Sequence, residues 1–331
     1  MPTPLLRPAP RRSLAVLASM ALALVTACTG AEPGETEPRV TGPFGARPSI
    51  TFPAGAPPAE PRVAERTAGH GAPLEQGGVA VVQYTAHLWD GRENRLVAST
   101  FNRGTPEALP LGALHPGLDA ALRGRRAGSR VTAAIPLGTS GTPAGERPPG
   151  PQAGPAAPGV RADAVDHVPR AHGRVDLFYV VDVLGAHPGR DAVEAGAGVI
   201  AGVRVGGGAA PALAIPDGEP PGGLTARMLA RGSGRAAEAG RLLVVQYAGA
   251  TWSERRVFTS TWQRGRPEAV TLGDGSLVSG WNRALAGVPA GSRVAMVVPP
   301  GDAHGDAGTG GSARIAPGET LVYVVDVLAV Y

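Results

Sequence analysis

Near the C-terminus the chain carries three short runs rich in apolar and β-branched residues, 242–249, Ser292–Val298 and 320–330, each bounded by Gly or Pro. That pattern predicts β-strands. One neighbouring segment reads as helical: Ser279 can cap it, residues 280–285 supply one or two turns, and Gly287 with Pro289 stops it. A sheet of four to six antiparallel strands wrapped around one short helix would bury both kinds of element, an α+β arrangement.

The same pattern occurs earlier in the chain. Val81-Val-Gln-Tyr84 answers Val244-Val-Gln-Tyr247, Gly128-Ser-Arg130 answers Gly291-Ser-Arg293, and Tyr179-Val-Val-Asp-Val-Leu184 answers Tyr323-Val-Val-Asp-Val-Leu328. Arg103 and Arg264 are offset by 161 positions and Gly128 and Gly291 by 163, whereas Asp182 and Asp326 are offset by only 144. Copy one therefore holds about 19 extra residues between Ile135 and Val175, which places a variable loop between homologous strands. The approach to each copy recurs too, as Val40-Thr-Gly with Pro48-Ser-Ile-Thr-Phe-Pro53 and as Val203-Arg-Val-Gly with Pro211-Ala-Leu-Ala-Ile-Pro216.

Ahead of the repeats, Arg7, Arg11 and Arg12 precede an apolar run at 14–27 that is too short to span a bilayer and reads as a secretory signal. Its end, Val25-Thr-Ala-Cys28, resembles the lipobox of bacterial lipoproteins, which implies lipidation of Cys28 and a membrane contact through that anchor alone. An ordinary signal peptide with an incidental cysteine is the alternative. Cys28 is the single cysteine, so disulfides, cysteine-zinc sites and a cysteine nucleophile are excluded from the folded part.

The formal charge of +4 falls to about +1 once the three signal arginines are set aside, and no nucleic-acid partner is expected. The chain contains no lysine, which removes a Walker A loop, a pyridoxal Schiff base and Ser-x-x-Lys chemistry. His304-Gly-Asp306 falls short of a metal set, and the other histidines share no spacing, so neither metal nor cofactor is expected. With 49 Gly and 34 Pro among 331 residues, long irregular segments are expected between the elements.

In copy two, Val245-Gln-Tyr247-Ala-Gly249, Phe258-Thr-Ser-Thr261, Arg264, Leu272-Gly273, Leu277-Val-Ser-Gly-Trp281, Ala303-His-Gly305 and Leu321-Val-Tyr323 follow one another in order. Together they resemble the FKBP-type peptidyl-prolyl isomerases. The resemblance, with the repeat, implies two FKBP-like domains, a degenerate one at 40–185 interrupted by a Gly/Pro loop at 139–173 and a better preserved one at 203–331, while the apolar run and the Gly/Pro-rich composition place a signal peptide at 1–27, a tether at 28–39 and a linker at 186–202. It also implies a pocket floored by Trp281 and walled by Tyr247, Phe258 and Tyr323, with Arg264, Leu277, Val278, His304 and Ile315 on the substrate side. The implied partners are proline-containing polypeptides, bound by a monomer on the extracytoplasmic face of a bacterial membrane.

Two departures qualify the carry-over. Thr259 stands where the family has an acid that pairs with the arginine, and His304 where it has a loop tyrosine, so Arg264 is expected to lack its partner and turnover to be impaired. Copy one departs further, with Val97, Ala98 and Leu118 in place of the Phe, the acid and the indole, although Tyr84, Arg103 and Tyr179 survive. An effective site is expected in copy two alone. Trp252 and Trp262, outside the motif, are expected at the surface or a sheet edge. Two functions remain open, an isomerase that assists folding of exported proteins and a catalytically weak or inactive chaperone or scaffold that binds proline peptides.

Overall fold

The computed structural model describes residues 37–137, 175–304 and 315–331. The expected signal segment, Cys28, all but the end of the tether, the loop at 139–173, and Gly305 with Asp306 lie outside the described residues. The first half runs β1 (Arg39–Thr41), β2 (Ser49–Thr51), β3 (Arg62–Thr67), β4 (Val79–Trp89), β5 (Asn94–Ser99), α1 (Thr100–Arg103), β6 (Glu107–Pro110), α2 (Pro116–Leu122), β7 (Arg130–Pro136) and β8 (Asp176–His187). The second runs β9 (Gly198–Ile200), β10 (Val203–Val205), β11 (Leu213–Ala214), β12 (Thr225–Ala230), β13 (Leu242–Thr251), β14 (Val257–Ser260), α3 (Thr261–Arg264), β15 (Glu268–Thr271), α4 (Ser279–Leu285), β16 (Ser292–Val298), a 3-10 turn (Pro300–Asp302) and β17 (Leu321–Val330).

Each half builds a six-stranded antiparallel sheet with the same strand order. It is β3-β7-β8-β4-β5 with β6 also on β4 in the first, and β12-β16-β17-β13-β14 with β15 also on β13 in the second. The last strand of each sheet is central and covered on both faces. On β17, Tyr323, Val325 and Val327 face inward with Trp281 and Leu285, while Val322 and Val324 face outward onto Ile200, Val203, Val205 and Trp252. In the first half Tyr179 and Val181 face inward, and Phe178 and Val180 meet Val40, Ile50 and Phe52. A strand buried on both sides has no use for alternation, which is why both runs read as nearly continuous apolar sequence.

The charge that interrupts each run latches the outer layer to the sheet. Asp326 accepts two bonds from Arg293, at 2.6 and 2.8 Å, and a third from the Val193 amide at 2.9 Å. Arg293 spends its remaining donors on the carbonyls of Val193, Gly208 and Ala209. In the first half Asp182 holds Arg130 at 2.6 and 2.7 Å and the Gly45 amide at 2.7 Å, while Arg130 reaches the carbonyls of Gly42, Pro43 and Ala46. Both pairs are buried, and burial is tolerable because every nitrogen of the planar guanidinium fork finds an acceptor.

Several sequence expectations are corrected. Ser279 does not cap α4; Val278 is the N-cap and makes no side-chain bond. Ser279 is the first residue inside the helix, and its hydroxyl donates to Asp302 Oδ1 at 2.9 Å. A second helical turn, α3, is present in this half; Ser260 caps it, accepting from Gln263 N, and Gly265 closes it at φ 66°. Trp252 is buried because β9–β11 cover that face, and its indole N–H donates to the Gly218 carbonyl at 2.9 Å; Trp262 is half-buried in the same cluster. The interval 186–202, read as a linker from composition, is packed: Gln246 Nε2 donates to the Gly189 carbonyl at 2.9 Å, and the His187 ring and the Tyr331 hydroxyl meet at 2.9 Å. Along this seam Val81 of the first sheet joins Leu242 and Val244 of the second.

Candidate active site

Strand register in the second sheet sets three aromatic rings, and α4 a fourth, around one cavity. Gly249 lies opposite Tyr323 on β17, two residues after Tyr247 on the same strand, and β14 brings Phe258 beside them. A Cβ at Gly249 would lie 2.6 Å from the Tyr323 ring and 2.9 Å from that of Phe258, so the missing side chain is what allows the two rings to close on the strand. From below, α4 raises Trp281. Gly280 lets the helix sit against β16, since a Cβ there would meet Val298 at 2.5 Å. The indole is 4% exposed and stands perpendicular to Tyr247 at 5.0 Å and to Tyr323 at 5.3 Å, with Phe258 perpendicular to Tyr323 at 5.9 Å. Such edge contacts are the favoured aromatic geometry and hold the box rigid.

The cavity measures about 380 Å³ and is lined by eight of the residues expected from the sequence: Tyr247, Phe258, Leu277, Val278, Trp281, His304, Ile315 and Tyr323. Thr259, Glu268, Val270 and Ser276 complete the lining. His304 is brought to the rim by the 3-10 turn before it, which is pinned where Arg283 NH1 reaches both oxygens of Asp302 at 2.7 Å. Arg283 first, and then Ser279, hold the Asp302 carboxyl below its usual range.

Arg264 does not line the cavity, and the expectation that it lacks a partner is corrected. Its guanidinium donates to Glu268 Oε2 at 2.8 Å and to Thr259 Oγ1 at 2.9 Å, and lies 5.8 Å from the centre of the Tyr247 ring. The Tyr247 hydroxyl donates to the same Glu268 oxygen at 2.9 Å. Burial pushes the Tyr247 phenol up; Arg264 opposes the rise and Glu268 adds to it. The ion pair is about half exposed and contributes little stability, roughly 0–1 kcal/mol, so its main effect is orientation.

Glu268 and Val270 were not singled out from the sequence, yet a signal for Glu268 was present. Arg103-Gly-Thr-Pro-Glu107 and Arg264-Gly-Arg-Pro-Glu268 are the same motif. In the first sheet Tyr84 donates to Glu107 at 2.9 Å and Arg103 pairs with that carboxylate, so the trio exists twice. The aromatic box does not. Leu118 stands in the indole's place, Ala86 puts a methyl where Gly249 leaves room, and Tyr84, Leu118 and Tyr179 are each 1% exposed. Among the described residues the buried Tyr179 hydroxyl has no hydrogen-bond partner.

A family model described as FKBP-type peptidyl-prolyl cis-trans isomerase matches residues 233–328. The chain is 40% identical over 120 residues to an FK506-binding protein of Streptomyces anulatus, covering 36% of this chain and 96% of that one. To an FK506-binding protein of Neisseria meningitidis serogroup B it is 34% identical over 111 residues, covering 33% of this chain and 98% of the other. Among solved structures it is similar to FkpA from Escherichia coli at 32% identity with a TM-score of 0.30; the match covers 33% of this chain and 48%, just under half, of FkpA. By its family match and its near full-length relatives, this chain belongs to the FKBP-type peptidyl-prolyl cis-trans isomerases.

Proposed function

We propose that the aromatic cavity of the second sheet is where the isomerase reaction takes place and that the first sheet, an FKBP-like body of the same topology, carries no working site. The observation behind this reading is the box of Tyr247, Phe258, Trp281 and Tyr323 around an open cavity of about 380 Å³, set against the first sheet, where Val97 and Leu118 stand in place of Phe258 and Trp281 and Ala86 in place of Gly249. Rotation about an X-Pro amide meets a barrier of about 18–20 kcal/mol, because the planar form is resonance-stabilised. Water deepens that minimum by solvating the charge-separated amide. A cavity walled by aromatic rings withdraws this solvation, and the indole floor accepts the prolyl ring. The twisted amide, having lost its charge separation, is then bound better than the planar one, and that difference is the catalysis.

In this reading Val278, at the N-cap of α4, offers its backbone amide to the substrate carbonyl at the rim, with Leu277, His304 and Ile315 bounding the groove. No nucleophile, metal or cofactor takes part. The substrates are proline-containing segments of exported polypeptides as they fold, and a Cys28 lipid anchor would hold the enzyme at the extracytoplasmic membrane face. Replacing Cys28 with Ala should release the protein or stall its processing.

The test is the slow, proline-limited refolding of a model substrate in the presence of the full chain, together with calorimetry against FK506. Acceleration with a single macrocycle site per chain is expected. A refolding rate equal to the spontaneous one, with proline peptides still bound, would replace the enzyme with a binding module; two equal macrocycle sites would refute the silent first sheet.

A further inference from the structure

We propose that Glu268 is a positioning residue that takes over, from a different strand, the acid's part at this site. It fixes Tyr247 and Arg264 where residue 259 would otherwise do so. This rests on the assignment of the aromatic cavity as the site of isomerisation.

Geometry supplies the first argument. One carboxylate oxygen of Glu268 accepts from both the Tyr247 hydroxyl, at 2.9 Å, and the Arg264 guanidinium, at 2.8 Å. Residue 259, at the corresponding spot on β14, is a threonine whose hydroxyl accepts from the other arm of the same guanidinium at 2.9 Å. Arg264 therefore bridges the two positions, and the negative charge sits on β15 instead of β14. A phenol tied at its oxygen cannot swing. Tyr247 is thereby kept perpendicular to Trp281 at 5.0 Å, as a wall of the cavity that Glu268 also lines.

The repeat supplies the second. In the first sheet Ala98 occupies the place of Thr259, so an acid is missing there as well, and Glu107 accepts from Tyr84 and Arg103 in the same way. Loss of the acid at one position goes with a glutamate at the other in both copies.

The experiment compares kcat/KM for a proline peptide in the full chain and in Glu268→Ala, Thr259→Asp/Glu268→Ala and Trp281→Leu, with thermal melts to confirm folding. Glu268→Ala is expected to lose about tenfold, carried mainly by kcat, while remaining folded. The double variant should recover to within about threefold of the parent, because Asp at 259 lies within reach of Arg264. Such rescue is a non-additive coupling that a merely structural glutamate would not produce. If Trp281→Leu is inactive while Glu268→Ala keeps parent activity, the positioning role is overturned and the site stands. If Glu268→Ala is impaired and Asp at 259 restores nothing, the relocation is likewise overturned. Full activity in Trp281→Leu would instead remove the site assignment beneath it.

Discussion

Replacing Trp281 with leucine imitates Leu118 of the first sheet and separates the two tasks of the indole, packing and catalysis. Truncating a buried aromatic to alanine costs about 3–5 kcal/mol. A leucine at the same place restores about 1.5–3 kcal/mol of buried apolar surface. The difference leaves a net loss of about 2 kcal/mol, which includes the perpendicular contacts to Tyr247 and Tyr323 at 5.0 and 5.3 Å. Against the usual 5–15 kcal/mol of a folded domain, the variant stays folded. Catalysis should suffer more. The prolyl ring loses the flat surface it rests on in the twisted state, an apolar burial worth about 1.5–3 kcal/mol, and at about 1.4 kcal/mol per decade that predicts a fall of roughly 10- to 100-fold in kcat/KM. Urea unfolding and a prolyl isomerisation assay on the same preparation give both numbers. A folded Trp281→Leu with kcat/KM within twofold of the parent would show that the indole is a core residue alone.

Gly249→Ala should push Tyr323 and Phe258 away from β13, costing about 1–3 kcal/mol by overpacking and lowering kcat/KM about tenfold, as read by melting and peptide assay. Asp326→Ala leaves Arg293 buried without its counter-ion and should destabilise the second sheet by about 3–5 kcal/mol in urea. Asp182→Ala should do the same to the first sheet while sparing isomerase activity; equal loss of activity in both would refute the division of labour. The lowered Asp302 pKa implies that its bridge to Arg283 and Ser279 is complete above the ordinary carboxylate range and is lost as pH falls through the lowered value. A carboxyl NMR titration of Asp302 with an ordinary or raised midpoint would contradict the bridge.

The parts of this molecule that were legible in its sequence are those where local pattern and tertiary environment agree. Three strands of the second sheet, β13, β16 and β17, announce themselves because each run is buried and bounded by Gly or Pro, and Tyr247, Tyr323 and Trp281 follow because they sit on β13, β17 and α4. What was hidden depends on partners distant in the chain. Trp252 looks like a surface residue until β9–β11, short strands broken by Gly, are laid over it. Glu268 resembles an exposed charge in a turn; its meaning comes from Tyr247 and Arg264, which reach it from two other elements. The 186–202 interval has a linker's composition, and part of its packing is carried by backbone groups that any sequence could supply, beside side chains such as His187 and Ile200 that find partners far along the chain.

The two Arg–Asp latches bear on the order in which a growing chain can fold. Asp326 closes on the Val193 amide across 133 residues, and Asp182 on that of Gly45 across 137. At about 5–20 residues per second of synthesis, each outer layer waits roughly 7–27 s for its carboxylate. Because Asp182 precedes β9, the first latch can shut before the second outer layer exists. Two similar sheets in one chain are open to exchanging strands as they fold, a characteristic failure of duplicated domains. Placing the locking charge on the last strand of each sheet lets the first copy close on itself, so that timing keeps the copies apart where their sequences scarcely could.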